Sequence, residues 1–226
     1  TLDYGHVRIG FYESRGGDID PRSRARWESW GPGRADVIED VADTPIAIPD
    51  LWGLRHQRLL TQAGTLRHES PLALAIRQET QYVQANHHRT RPPRELMWAL
   101  SLYLYSLEPP PARAFEGAPR DRERGAAIFA NACGRCHSSA IGSGELVDAA
   151  EVGTDPELAL GDARGTGGYR PAPLLRVADA APYLHHGVIP SLDALLDPAR
   201  EEHGHRFGMD LSADERTQVI AYLRSR

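Results

Sequence analysis

The sequence predicts a mostly α fold: two helical domains with long loops. Three observations lead there. Alternation of apolar and polar residues, the mark of strands, is scarce along the 226 residues. Two segments each finish in an apolar helical stretch, one from Arg94 to Leu107 and one after Ser212. Between them lies Glu108-Pro109-Pro110-Pro111-Ala112, followed by polar sequence through Gly117 and Pro119. Consecutive prolines cannot continue a helix and favour extended backbone, so a linker is expected there. The expected division is residues 1–107, a linker at 108–120, and residues 121–226.

The length agrees, because globular domains commonly run to roughly 100–200 residues. Apolar residues make up 41% and charged residues 25%, values that support a packed core and argue against disorder. The net charge of −5 comes from 31 acids and 26 bases without a run of like charge. Neither a nucleic-acid footprint nor a membrane-surface patch is expected. The longest apolar stretch, Leu96 to Leu107, is far below the ~20 residues that span a bilayer. Thr1 is not a start methionine and no leader precedes it, so the chain reads as processed or truncated.

In the first segment, Pro93 suits a helix entry at Arg94, and Leu96, Leu100, Tyr103, Leu104 and Leu107 make the expected apolar face. In the second, Arg124 to Ala132 reads as a helix carrying Gly125 and, four positions later, Phe129. Ser212-Ala213-Asp214-Glu215 is a capping box, after which Val219, Ile220, Tyr222 and Leu223 supply one apolar face. Upstream, Ile48-Pro49-Asp50-Leu51-Trp52-Gly53-Leu54 then Leu60-Thr61-Gln62-Ala63-Gly64 parallels Pro173-Leu174-Leu175-Arg176-Val177 then Tyr183-Leu184-His185-His186-Gly187. The parallel reads as a weak internal repeat.

The chemistry concentrates in Cys133-Gly134-Arg135-Cys136-His137, which holds both cysteines of the chain. Two thiols three positions apart reach the two vinyl groups of one porphyrin, and the next imidazole ligates its iron. A zinc site needs four ligands and a second Cys pair is absent; a thioredoxin-like pair would follow a strand in a βαβ context. Covalent haem c, held by Cys133, Cys136 and His137, is therefore expected. The second axial ligand falls between His137 and the last helix, with His205 and, as alternatives, Met209, His185, His186 and His203. Gly204-His205-Arg206-Phe207-Gly208 places a histidine between glycines, where backbone approaches a flat cofactor closely. Met209 would raise the reduction potential relative to bis-histidine ligation, although methionine commonly fills core gaps. The histidines of Tyr183-Leu184-His185-His186-Gly187 could equally bond backbone or propionate.

A helix bearing Gly125 and Phe129 under Tyr222 of the last helix resembles class I cytochromes c. From Gly125 to Leu223 the chain resembles the C-terminal haem domain of bacterial dihaem cytochrome c peroxidases and their relatives, the dihaem rubber oxygenases included. The shared residues are the Cys-Gly-Arg-Cys-His motif, Ala181-Pro182-Tyr183-Leu184-His185-His186-Gly187 with Pro190-Ser191-Leu192, and Gly204-His205-Arg206-Phe207-Gly208 with Leu211-Ser212. The first segment resembles the later part of the partner domain through Trp30-Gly31-Pro32-Gly33-Arg34 and Ile48-Pro49-Asp50-Leu51-Trp52-Gly53.

The resemblance implies two cytochrome c-like domains and a second haem, whose attachment motif is absent from residues 1–226 and would lie upstream of Thr1. It implies an electron-transfer portion of a dihaem peroxidase-like oxidoreductase, served by a redox partner protein or a small electron donor. Glu79 is the positional candidate for the acid-base carboxylate, against a plain helix-surface role. His68, His87 and His88 could face the first haem, and Trp52 and Trp98 could lie between haems or in a core. A plain electron-transfer cytochrome with a non-haem docking domain is the alternative; a haem-based gas sensor is the third. Haem attachment implies a periplasmic or extracellular location.

Overall fold

The computed structural model describes residues 46–85, 90–112, 114–115, 117–162 and 165–226, together with Pro21, Ala25, Glu28, Ser29, Ala35 and Asp36. The Trp30 to Arg34 motif and the His87–His88 pair lie outside the described residues. Strand structure is limited, among the described residues, to three antiparallel two-residue pairs: β1 (Ala35–Asp36) with β2 (Ile46–Ala47), β3 (Leu59–Leu60) with β4 (Leu66–Arg67), and β5 (Val147–Asp148) with β6 (Gly168–Tyr169). They pin loops together; the described residues are rich in helix, with few and short strands.

In the first segment α1 (Pro71–Ala85) packs on α2 (Arg94–Ser106). Pro71 opens α1 where its missing N–H costs nothing, and the Ser70 hydroxyl accepts from the Ala73 amide at 3.2 Å. Their core is Leu54, Leu74 and Leu104, joined by Leu60, Tyr105 and Leu107. The expected apolar face of α2 is corrected here. Leu96 and Tyr103 are each 60% exposed and Leu100 is also exposed, whereas Ser101 and Leu104 are buried. The inward stripe runs through Met97, Ser101, Leu104 and Tyr105, at i, i+4, i+7 and i+8. The small Ser101 admits α1 closely, a choice that hydrophobicity cannot signal. The predicted end at Leu107 moves to Ser106.

The next helix, α3 (Pro119–Ala132), begins two residues inside the expected linker, because Pro119 itself takes the first helical position. Three short helices follow, α4 (Ala149–Val152), α5 (Glu157–Leu160) and α6 (Leu192–Leu195), before α7 (Ala213–Arg224) closes the chain. The expected capping box is present: the Ser212 hydroxyl accepts from the Glu215 amide, and the Glu215 carboxylate accepts from the Ser212 amide at 2.9 Å. α3 and α7 pack around Phe129, Leu174, Val177, Leu192, Leu196, Val219, Ile220 and Leu223, all buried.

Contacts between the two segments are direct. Ala47 donates its amide to the His185 carbonyl at 2.8 Å, Arg170 donates its amide to the Gln62 carbonyl at 2.9 Å, and the Thr166 hydroxyl donates to the Ala63 carbonyl at 2.6 Å. The loop after β2 is thus stitched onto the second segment before the α1–α2 pair begins.

Gly125 sets the α3–α7 distance. A Cβ there would fall 2.1 Å from the Gln218 carbonyl oxygen and 3.0 Å from the Tyr222 Cβ. Backbone cannot yield cheaply, so Gly125→Ala forces the helices apart. The expected outcome is a loss of about 1–3 kcal/mol, measured by denaturant or thermal unfolding.

Candidate functional site: a cavity around the Cys133–His137 motif

The motif sits at the C-terminal end of α3, where Cys133 caps the helix by donating its amide to the Phe129 carbonyl at 2.8 Å. The next turn tightens, with the Cys136 amide donating to the Cys133 carbonyl at 3.2 Å, an acceptor it shares with the His137 amide at 3.1 Å. Both thiols are free and half-buried. Burial, with Cys136 adding, pushes the Cys133 thiol up to about 11, so it is protonated near neutral pH. Arg135 between them projects outward and pairs with Glu151.

A tight loop beneath the motif orients His137. The imidazole Nδ1 lies 2.5 Å from the Gly142 carbonyl oxygen, which makes Nδ1 the protonated nitrogen and leaves Nε2 with its lone pair. The loop is self-bonded: the Ser139 amide donates to the Ser143 carbonyl at 2.9 Å and the Gly142 amide to the Ser139 carbonyl at 2.8 Å. Gly142 has φ +73°, where a side chain would be strained and would meet Leu174 at 2.8 Å. The Ser143 hydroxyl donates to the Pro171 carbonyl at 2.6 Å, tying this loop to residues 171–174 across the site. Burial lowers the His137 pKa despite its backbone partners.

A cavity of about 650 Å³ opens on the motif, within the ~300–1,000 Å³ range of sites that bury a small molecule or cofactor. Its walls are largely apolar, with Phe129, Leu174, Val177, Val219 and Leu223 from the core and Ile48, Pro49 and Trp52 from the first segment. Cys133, Cys136, His137 and His205 all line it. Phe129 stands 6.1 Å from the His137 ring and 5.4 Å from Tyr222, so the expected Phe129–Tyr222 packing over Gly125 is present.

The candidates for a second axial ligand lie at different places relative to the cavity. His205 faces His137, with ring centres 6.3 Å apart. Two imidazoles sharing one metal at ~2.0 Å, with each nitrogen about 1.1 Å from its ring centre, require about that separation. Burial, with His137 adding, pushes the His205 pKa down to about 4; the neutral form is the one that ligates. Its Nδ1 is buried without a hydrogen-bond partner. Met209 and His203 do not line the cavity, and His203 is exposed. His185 lines it but is stacked 4.5 Å from Tyr169 and 4.3 Å from His186, with burial pushing its pKa down to about 3. The donor set of two thiols and two opposed neutral imidazoles, in an apolar slot, fits a haem c.

Sequence reasoning missed Arg200, which fixes His205. His205 has φ 47°, in the left-handed region that costs a non-glycine residue energy. Arg200 is 8% exposed and donates to the carbonyls of Gly204, Glu202, Leu195 and His205, the last at 2.9 Å. The His205 amide donates to the Val152 carbonyl at 2.7 Å. At Gly204, φ +93°, a Cβ would meet Thr154 at 2.5 Å. An arginine five residues before the histidine of a Gly-His pair was the available signal, and it carries no motif.

Glu79 lies elsewhere. It ion-pairs with Arg91 at 3.3 Å and Arg94 at 3.8 Å and lines a second cavity of about 640 Å³ with Ile76, Met97 and Trp98. His68 is buried and bonds Tyr105 through Nδ1 at 2.7 Å, away from the first cavity. Trp52 lines the first cavity and Trp98 the second. Among the described residues no three His, Cys, Asp or Glu side chains are gathered to hold a bare metal ion.

The family model for cytochrome c matches residues 122–226. That region is similar to cytochrome c. The similarity implies covalent haem c and a place in redox chemistry. Two solved structures share the fold over most of the chain. A MauG-like protein associated with microbial copper homeostasis is 16% identical, with TM-score 0.59, covering 86% of this chain and 78% of the other. Hydrazine synthase from Kuenenia stuttgartiensis is 17% identical, with TM-score 0.53, covering 84% of this chain and 75% of the other. Comparison with curated proteins gives no significant match.

His185 gives the structure a pH dependence. Its folded pKa of about 3 lies below the unfolded value of 6.5, so its stabilising contribution is complete above pH 6.5 and is lost as pH falls toward 3. Across that window the unfolded chain binds a proton that the fold excludes, costing up to about 1.4 kcal/mol per pH unit. His185→Phe is expected to flatten the acid limb of a stability-versus-pH curve by roughly 2 kcal/mol between pH 6.5 and 4.5.

Proposed function

We propose that Cys133 and Cys136 carry one haem c by thioether links, that His137 and His205 are its axial ligands, and that the protein transfers electrons as part of a dihaem peroxidase-like oxidoreductase. The observation that carries this reading is the opposed pair of neutral imidazoles 6.3 Å apart at the end of the Cys-x-x-Cys-His helix. The haem supplies one-electron ferric–ferrous chemistry. Gly142 holds the His137 ring by Nδ1, Arg200 holds the His205 loop, and the apolar walls keep water out. Were His137 and His205 both to hold the iron of a bound haem, that site would relay electrons and leave no open position for peroxide.

Peroxide chemistry is assigned to a second haem beside the first of two domains, 1–107 and 121–226 with the 108–120 linker; residues 1–107 are a cytochrome c-like domain without an attachment motif of their own. The repeat supports this: the α1–α2 pair packs on Leu54 at the end of the first copy, as α7 packs with Leu174 and Val177 of the second. In that scheme Glu79 is the acid-base carboxylate, released from Arg91 and Arg94. A second reading, a plain electron-transfer cytochrome whose first segment docks a redox partner, is favoured by the exposed Leu72, Ile76, Leu96, Leu102 and Tyr103. A periplasmic or extracellular location accompanies either reading, since haem attachment requires export. No helix among the described residues is long and apolar enough to cross a membrane.

The peptide containing Cys133 and Cys136 is expected to retain one haem mass after denaturation and solvent extraction; a colourless peptide sinks the reading. His205→Ala is expected to open one axial position, so that the ferrous spectrum shifts on adding carbon monoxide, while His203→Ala and Met209→Leu keep the parent spectrum. Peroxide turnover with a reduced donor, abolished by Glu79→Gln with the haem spectrum intact, separates the peroxidase reading from the plain cytochrome.

A further inference from the structure

The first cavity has an arginine whose charge no carboxylate among the described residues pairs with. Arg170 is 6% exposed and lines the cavity with Cys136 and His137. Its Nε donates to the Thr61 carbonyl at 3.0 Å and its Nη1 to the Gln57 side-chain oxygen at 3.1 Å. Both acceptors are neutral, and its Nη2 makes no bond to a described residue. Asp50 is the charged group that acts on it, without reaching ion-pair distance, and burial outweighs it, leaving the pKa lowered to about 10. The guanidinium therefore stays charged near neutral pH. The other two arginines on the wall are committed: Arg135 to Glu151, and Arg176 to Asp179 and the Pro111 carbonyl.

A buried cation without a carboxylate is costly, and breaking such pairs destabilises proteins by several kcal/mol. Among the described residues no carboxylate reaches Arg170, and the cavity it lines is open to an anion from what fills it. A porphyrin seated by Cys133, Cys136 and His137 brings two carboxylates, and a planar guanidinium with a free edge suits a carboxylate. The placement is rigid. Pro171 follows Arg170 and its carbonyl accepts from Ser143 in the loop that orients His137, while the Arg170 amide donates to the Gln62 carbonyl.

We propose that Arg170 binds a haem propionate, so that Gln57, Thr61 and Gln62 of the first segment become part of the haem site and tune its reduction potential. The proposal rests on the haem reading above. A fixed cation disfavours the ferric state and neutralises the carboxylate that would favour it. Removing it shifts the equilibrium toward ferric.

The test is redox titration of the full-length holoprotein at pH 7. Arg170→Gln, which keeps a donor for Gln57 but no charge, is expected to shift the reduction equilibrium about tenfold toward ferric, a fall of about 59 mV for one electron. Arg170→Lys is expected to stay within about threefold of the parent, because it restores the charge. A glutamine variant with full haem content and the parent potential overturns the proposal, as does a lysine variant shifted as far as glutamine. Absence of haem from the parent protein sinks the haem reading instead, so the two failures are distinct. If the glutamine variant misfolds, the propionate bending bands in the resonance Raman spectrum of the parent decide: a hydrogen-bonded propionate supports the proposal, and two free propionates overturn it.

Discussion

The backbone-to-backbone approach of α3 and α7 at Gly125 is the constraint on which the rest of the second segment depends. With no side chain at 125, the Gln218 carbonyl and Tyr222 Cβ come into direct contact with α3. Phe129, one turn on, then meets Tyr222 at 5.4 Å and points its other side toward His137 at 6.1 Å. Because the cysteine motif starts where α3 ends, this one crossing decides where both thiols and the first imidazole face. The Ser212–Glu215 capping box acts on the same contact from the other partner, by fixing where α7 begins and hence which residues it turns toward α3.

Opposite the motif, loops without regular structure must hold a second imidazole just as firmly. The protein does this with carbonyls gathered onto buried arginine. Arg200 collects the carbonyls of residues 195, 202, 204 and 205, which turns an irregular segment into a cross-linked one. The left-handed backbone of His205 is sustained by this clamp and by the Val152 carbonyl. Neutrality of the two imidazoles follows from the same burial, since among the described residues neither His137 nor His205 has a carboxylate partner to hold a proton. The rigidity of the loop and the neutrality of its imidazole therefore go together.

What was legible in the sequence was what depends on local chemistry. The capping box and Gly125 with Phe129 act within a few residues of themselves, and each has the expected geometry. The apolar face of α2 was misplaced because leucines occur all round that helix, and a buried Ser101 decides the orientation by its size. Arg200 and Arg170 were invisible for a different reason. Their partners are backbone carbonyls and an amide, Arg170's across more than 100 positions of chain, and a carbonyl acceptor leaves no trace in residue identity. Which of the five candidate residues faces His137 likewise depends on which loops converge, a property of the fold and not of any one loop.

The two arginines also differ in what they ask of the site. Arg200 meets carbonyls from four residues and is answered within the protein. Arg170 meets one carbonyl and one amide oxygen, both supplied by residues 57–61 of the other segment, and keeps an edge toward the cavity. A charge placed this way makes the fit of the two segments depend on what lies between them: the first segment positions the cation, the second presents the cavity, and an anion joins them. Coupling of that kind gives the first segment a direct electrostatic hold on the redox centre of the second, whether or not it carries a haem of its own.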